Sequence, residues 1–157
     1  AEMAGLTLDN GIATDAMGRT SDPSIWSAGD CASFPYAGGR LRLESVGNAI
    51  DMAEVVAANM LGADTPHEAK PWFWSDQYDV KLIIVGLSQG HDRVVLRGDP
   101  ATRSFSACYL RDGELIAVDT VNSAKDQIVA RKLVAARVRP DPVRLADITL
   151  SLRDCVI

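Results

Sequence analysis

The sequence is short of the residues that build secreted scaffolds, metal centres and membrane spans. It has three cysteines, Cys31, Cys108 and Cys155, which lie far apart, are odd in number and form no CxxC pair. That argues against a disulfide framework and fits a reducing, cytoplasmic setting. With two histidines only, His67 and His91, the ligand spacing of a structural zinc site does not arise, and no metal ligands are assigned. No apolar run approaches the roughly 18 residues of a membrane span, and no basic region followed by an apolar stretch opens the chain. Basic residues are outnumbered 16 to 21, so a nonspecific grip on nucleic acid is not expected. Neither a GxGxxG, a P-loop, an HExxH nor a GxSxG elbow is present. Taken alone, the residues hold no complete catalytic machine, and no catalytic residue is assigned.

What is present is globular in composition. Hydrophobic residues make up 47% and charged residues 24% of 157, which suits one domain or two small ones. Charge divides the chain: residues 1–65 carry nine acids and three bases, residues 66–157 twelve acids and thirteen bases. The change falls at Gly62-Ala63-Asp64-Thr65-Pro66, followed by His67-Glu68-Ala69-Lys70-Pro71, where two prolines among small and polar residues read as a linker. Two unequal pieces are expected, 1–65 and 66–157.

The first piece reads as incomplete. Ile12–Asp15 and Ile25–Ala28 are expected as short strands, the second stopping at Gly29-Asp30. A helix is expected from Ala49 to Leu61, capped by Asn48 or Ser45, with Ile50, Ala53, Val56, Ala57, Met60 and Leu61 on one buried face. That face needs a partner. The second piece reads as α+β, an antiparallel sheet with flanking helices. Strands are expected over Val80–Leu87, Arg93–Arg97, Ser104–Leu110 and Leu115–Val121, with Asp112-Gly113 as a hairpin turn, in the order of a meander. A helix starts near Ala124, with Ser123 and Asp126 spaced as a capping box. Ile128, Val129, Leu133 and Val134 form its buried stripe, and Arg131, Lys132 and Arg137 face outward. Ile148, Leu150 and Leu152 read as a minor strand.

Several features admit both a chemical and a plain reading. Gly29-Asp30 suits close approach of a ligand to the backbone, or an ordinary turn. Arg42-Leu43-Glu44-Ser45 before the helix suits an anion or an electron-rich ring edge at the helix start, or simple capping. Pro71-Trp72-Phe73-Trp74-Ser75-Asp76-Gln77-Tyr78 concentrates aromatics in a chain where they are 6%, for packing or for lining a ring. His67 and His91 read as surface histidines, and Cys31 as a buried structural thiol.

Thr20-Ser21-Asp22-Pro23-Ser24-Ile25-Trp26-Ser27-Ala28-Gly29-Asp30-Cys31-Ala32 resembles the second flavin-contact motif of two-dinucleotide-domain flavoprotein reductases. With Arg42 to Ala49 and Pro71 to Asp79, the set is similar to the putidaredoxin, rhodocoxin and ring-dioxygenase ferredoxin reductase group. The resemblance implies a C-terminal fragment: the returning end of an FAD-binding, Rossmann-like domain, then the C-terminal α+β domain. It implies FAD as cofactor, NAD(H) bound by a domain upstream, and an acidic [2Fe–2S] ferredoxin as partner. Hydride would pass from NADH to FAD and single electrons to the ferredoxin, the fragment being inactive alone. By match, Asp30 beside Gly29 would bind the flavin ribityl chain, Ser45 and Val46 would address the pyrimidine edge, and Trp74 would lie by the flavin on the ferredoxin side. Arg42 and Arg131 match basic residues that dock the partner. Ile83 stands where a relative is basic, and Lys81 lies two residues away on the same strand parity. A redoxin-binding or dimerising module without catalysis is the alternative, and a homodimer is compatible with either.

Overall fold

The computed structural model describes residues 1–156. The chain forms two compact units, one over Ala1–Pro71 and the other from Trp72 onward.

The first unit is a small mixed sheet with one helix. Strand β1 (Ile12–Ala13) runs parallel to β2 (Ala32–Tyr36), which pairs antiparallel with β3 (Gly39–Leu41). Ala37 and Gly38 make the β2–β3 turn at φ 47° and 81°, the left-handed pair whose twist suits a tight hairpin. Residues Ile25–Ala28 do not form a strand. Trp26 makes a lone bridge to Arg19, and the Thr20 hydroxyl donates to the Ile25 carbonyl at 2.8 Å, so local side-chain bonds hold this stretch as a loop.

Helix α1 (Val46–Met60) begins before the expected Ala49, because Ser45 is the cap and its Oγ accepts from the Asn48 N–H at 3.2 Å. The Asn48 side chain turns inward and donates to the Leu43 carbonyl at 3.1 Å. The helix buries Asn48, Met52, Val56 and Asn59. Of the expected face only Val56 is buried; Ile50 and Met60 are more than half exposed and Leu61 is 91% exposed. The helix is apolar on two sides, and its orientation follows the asparagines. Asn59 donates to the carbonyls of Met17 and Thr65 at 2.9 and 2.8 Å, and accepts from the Thr65 N–H at 2.7 Å. A buried amide must find such partners, whereas an apolar side chain can be left in water at lower cost. Residues 63–71 have no regular structure, and the His67 N–H donates to the Ala16 carbonyl at 2.8 Å.

The second unit is a five-stranded antiparallel sheet with helices on it, an α+β fold. Its strands are β4 (Trp72–Gln77), β5 (Val80–Gly86), β6 (Arg93–Asp99), β7 (Ser104–Arg111) and β8 (Glu114–Val121). The order is β4-β5-β8-β7-β6 rather than a meander, since β8 inserts between β5 and β7 and sends β6 to the edge. The aromatic stretch is itself the edge strand β4, an element that its crowding of indoles concealed. On β7 the row Ser106, Cys108 and Leu110 is buried, and Phe105, Ala107 and Tyr109 share the opposite face.

The core of this unit gathers Ile83, Val85, Val95, Cys108, Leu110, Leu115 and Val118 from the sheet. Ala130 and Leu133 of α2 (Ala124–Ala135) and Leu145 of α3 (Pro142–Ala146) complete it, with Leu152 and Cys155 from the tail. Full burial of one such aliphatic side chain is worth about 1.5–3 kcal/mol. Helix α2 departs from its expected stripe: Ile128 is 69% exposed and Asp126 is buried. The capping box does not form, because Ser123 makes no side-chain cap and its hydroxyl lies 3.4 Å from Asp126 Oδ2. The minor strand expected over Ile148, Leu150 and Leu152 does not form among the described residues; α3 and a short turn of 3₁₀ helix (Leu152–Cys155) occupy the tail, with a lone bridge between Pro140 and Val156 and with Ile148 exposed.

Candidate flavin-contact elements and a cationic aromatic edge

In the first unit the Gly29–Cys31 turn packs against the start of α1. Gly29 is buried with φ 73°, a conformation that favours glycine, and a Cβ there would sit 3.5 Å from the Ala49 Cβ. Asp30 is exposed, and its carboxylate accepts no hydrogen bond among the described residues. Arg42 donates to the Asp30 carbonyl at 3.3 Å and pairs with Glu44, which fastens the approach to α1 onto the turn. Ser45 serves the Asn48 N–H, so the amides of Val46 and Gly47 remain without an intrahelical acceptor at the positive end of the helix dipole. Gly29, Asp30, Ser45 and Val46 thus belong to one turn–helix junction. It offers free N–H donors and a free carboxylate acceptor, which fits an electron-rich ring edge and a polyol chain.

The remaining predicted residues lie in the second unit. Trp72 and Trp74 alternate on β4, share a face, and stack with centroids 5.1 Å apart at 25°. The Arg131 guanidinium carbon sits 3.8 Å from the Trp72 ring centroid. Trp74 is 44% exposed. Across the β4–β5 ladder Trp74 faces Ile83 and Asp76 faces Lys81. Ile83 is buried in the core, so position 83 presents nothing to solvent, and the nearby cation is Lys81.

The three bases assigned to partner docking differ in what already holds them. Arg42 is paired with Glu44, and Lys81 Nζ lies 3.4 Å from Asp76 Oδ1. Arg131 has no carboxylate within ion-pair distance among the described residues. The one acid of α2, Asp126, points inward to Arg97, so the exposed charges of that helix, Lys125, Arg131 and Lys132, are all positive.

Two groups, Cys31 and His67, behave differently from their sequence reading, His91 is exposed as read, and one pair went unrecognised. Cys31 is exposed rather than buried, beside a shallow depression lined in part by Gly11, Ile12 and Arg42. His67 is not a free surface histidine. Its ring packs edge-on against Phe34 at 5.1 Å, its Nε2 lies 2.9 Å from Asn48 Oδ1, and burial lowers its pKa. His91 is exposed, with Nδ1 2.8 Å from the Ser88 carbonyl. The Cys108 thiol is pushed up to about 12 by burial, so it is inert. Tyr109 donates to Asp119 Oδ2 at 2.8 Å while Asp119 Oδ1 is buried without a partner among the described residues. Burial raises Asp119, and burial with the Asp119 bond raises Tyr109 to about 12. The pair joins β7 to β8, and only the ladder register reveals it. No helix among the described residues is long and apolar enough to cross a membrane.

Comparison with known proteins follows the same division. Residues 72–156, more than half of the chain, match the family model "Reductase C-terminal". Residues 1–53 match "Pyridine nucleotide-disulphide oxidoreductase". The ferredoxin reductase subunit of 5,5'-dehydrodivanillate O-demethylase from Sphingobium sp. is 45% identical over 155 residues, covering 97% of this chain and 38% of that protein. Putidaredoxin reductase of Pseudomonas putida is 40% identical, with 99% and 37% covered. Among solved structures, the ferredoxin reductase for the CYP199A2 system of Rhodopseudomonas palustris superposes with a TM-score of 0.90 at 44% identity, covering 99% of this chain and 39% of that one. The covalent putidaredoxin reductase–putidaredoxin complex gives 0.90 at 40% identity, with 98% and 37% covered. The chain spans a little over a third of the length of these relatives. With that match over more than half of its residues, the chain belongs to the reductase C-terminal family.

Proposed function

We propose that the chain supplies the C-terminal part of an FAD-dependent NAD(P)H:ferredoxin reductase of an oxygenase system. Residues 1–65 would be the returning end of the FAD-binding domain and residues 66–157 the C-terminal α+β domain. The observation that carries this is the order of two matches in one chain, a pyridine nucleotide-disulphide oxidoreductase segment followed by a reductase C-terminal domain. NAD(H) would be bound by sequence upstream, and the protein would work in the cytoplasm, where its free thiols remain reduced.

In this reading FAD, when bound, supplies the conversion between two-electron and one-electron chemistry. The chain's residues bind and orient. The Ser45 cap fixes the first turn of α1, so the Val46 and Gly47 amides are held ready for the pyrimidine edge without rearrangement. Asp30 would accept from ribityl hydroxyls, and Gly29 allows the backbone there to turn closely. Trp74, by the resemblance, would contribute an aromatic ring to the flavin's surroundings. Arg42, Lys81 and Arg131 attract an acidic [2Fe–2S] ferredoxin, a role that steers encounter more than it tightens binding.

The test begins with the size of the polypeptide in source cells, by immunoblot against this region. A product several hundred residues long, yellow when purified and able to reduce an acidic ferredoxin with NADH or NADPH, is the expected result. A native product no longer than these 157 residues, binding ferredoxin without flavin, would replace the enzyme reading with that of a binding module.

A further inference from the structure

Of the three bases assigned to docking, only Arg131 keeps its donors free among the described residues, and it lies on an indole. We propose that Trp72 is a positioning residue for partner recognition. It holds the Arg131 guanidinium over its ring so that the guanidinium edge presents paired N–H donors to a carboxylate of an acidic ferredoxin. The inference rests on the ferredoxin-reductase reading and deepens it.

The geometry carries the argument. A separation of 3.8 Å is well inside the roughly 6 Å over which a cation is attracted to an indole face. Trp72 is itself braced, by ladder pairing to Val85 and by stacking on Trp74. An exposed arginine ordinarily samples many rotamers, and restricting them before the partner arrives lowers the entropy lost on binding. A guanidinium is suited to this because its face can rest on an aromatic ring while its edge stays available for two parallel bonds, which an ammonium cannot do. The neighbouring exposed charges of α2, Lys125 and Lys132, have the same sign. Asp126, the acid that could have competed for Arg131, is committed to Arg97. The site therefore favours an anionic partner.

The experiment uses the flavin-loaded reductase that carries this chain, with steady-state reduction of its ferredoxin at low and high salt. Trp72→Leu should raise the KM for ferredoxin about threefold to tenfold, the range a cation–π contact supports. It should leave kcat little changed and flatten the salt dependence. Trp72→Phe should recover part of the loss. Trp72→Leu combined with Arg131→Leu should be no worse than Arg131→Leu alone, because the tryptophan acts through the arginine. Unchanged KM in Trp72→Leu, or losses that multiply in the double variant, would overturn the proposal. Should Trp72→Leu fail to fold, Arg131→Lys decides the same question. A raised KM supports the planar, oriented site, and an unchanged one means that charge alone matters and overturns it. A wild-type protein that passes no electrons to any acidic ferredoxin would overturn the functional reading and this inference together.

Discussion

Arg97 Nε donates to Asp126 Oδ2 across 3.0 Å, with the two side chains 6% and 12% exposed. The same guanidinium donates to the carbonyls of Leu145 and Asp147 at 3.2 and 2.6 Å and to that of Leu150, while Ser106 donates to the same carboxylate oxygen at 2.8 Å. One side chain on the edge strand β6 thereby fastens α2 and the C-terminal segment to the sheet.

Removing one member of a buried pair leaves a charge without its counterion. Asp126→Ala should cost about 3–5 kcal/mol in urea denaturation of the second unit. Arg97→Met should cost a similar amount and also speed proteolysis after Pro140, since three carbonyls lose their donor. A loss under about 1 kcal/mol for either would show that water replaces the pair.

Acid should loosen the first unit through His67. Burial holds its imidazole below the ordinary pKa of 6.5, with Asp51 partly opposing. The unfolded chain therefore binds the proton more readily, and the stability contribution is complete above about 6.5 and declines as pH falls through the folded pKa. His67→Gln retains an N–H donor for Asn48 but cannot take the proton. Its melting temperature should vary less between pH 7 and pH 5 than that of the parent; equal slopes would exclude His67 as the cause.

Tyr109→Phe should destabilise the second unit by about 1–2 kcal/mol at neutral pH, because Asp119 would lose its one side-chain donor. Asp119 is already raised by burial, so its charged form costs stability above its folded pKa. The penalty should shrink as pH falls and the carboxyl takes a proton. A pH-independent penalty would mean that lost packing, not the hydrogen bond, sets it.

Ser45→Ala removes the cap of α1 and should cost about 1 kcal/mol. Ser45→Asn should restore most of it. In the flavin-bearing protein the alanine variant should also release flavin more readily, measured by fluorescence of the free cofactor; unchanged retention would detach the cap from flavin binding.

Four of the five strands of the second unit, β5 to β8, were legible because each is a run of apolar or alternating residues closed by a turn signal such as Asp112-Gly113. Their order was not, since nothing local in β5 or β6 says that β8 will lie between β5 and β7. The side of α1 that is buried was hidden for a related reason. Periodicity favoured Ile50, Ala53 and Met60, whereas the fold is decided by Asn48 and Asn59, whose polar side chains find the Leu43 carbonyl and the His67 ring in one case and the carbonyls of Met17 and Thr65 in the other. Asp126 was misassigned in the same way: its spacing from Ser123 fits a cap, but a buried arginine from β6 competes for it and wins. Asp30, Ser45 and Trp74 stood out only because an ordered set of motifs drew attention to them. The freedom of Arg131, set against the pairing of Arg42 and Lys81, needed coordinates.

The outward row of α1 also sets what the chain tolerates when redesigned. Ile50, Ala53, Ala57, Met60 and Leu61 contribute little to the packing of their own unit, while Met52, Val56 and Asn59 are committed to it. Lysine or glutamate at positions 50 and 61 should therefore raise solubility and suppress self-association of the isolated chain with little change in its melting temperature. The same changes would be damaging wherever further protein sequence covers that row. One helix then carries two separate sets of constraints, one from its own unit and one from whatever lies against its other side.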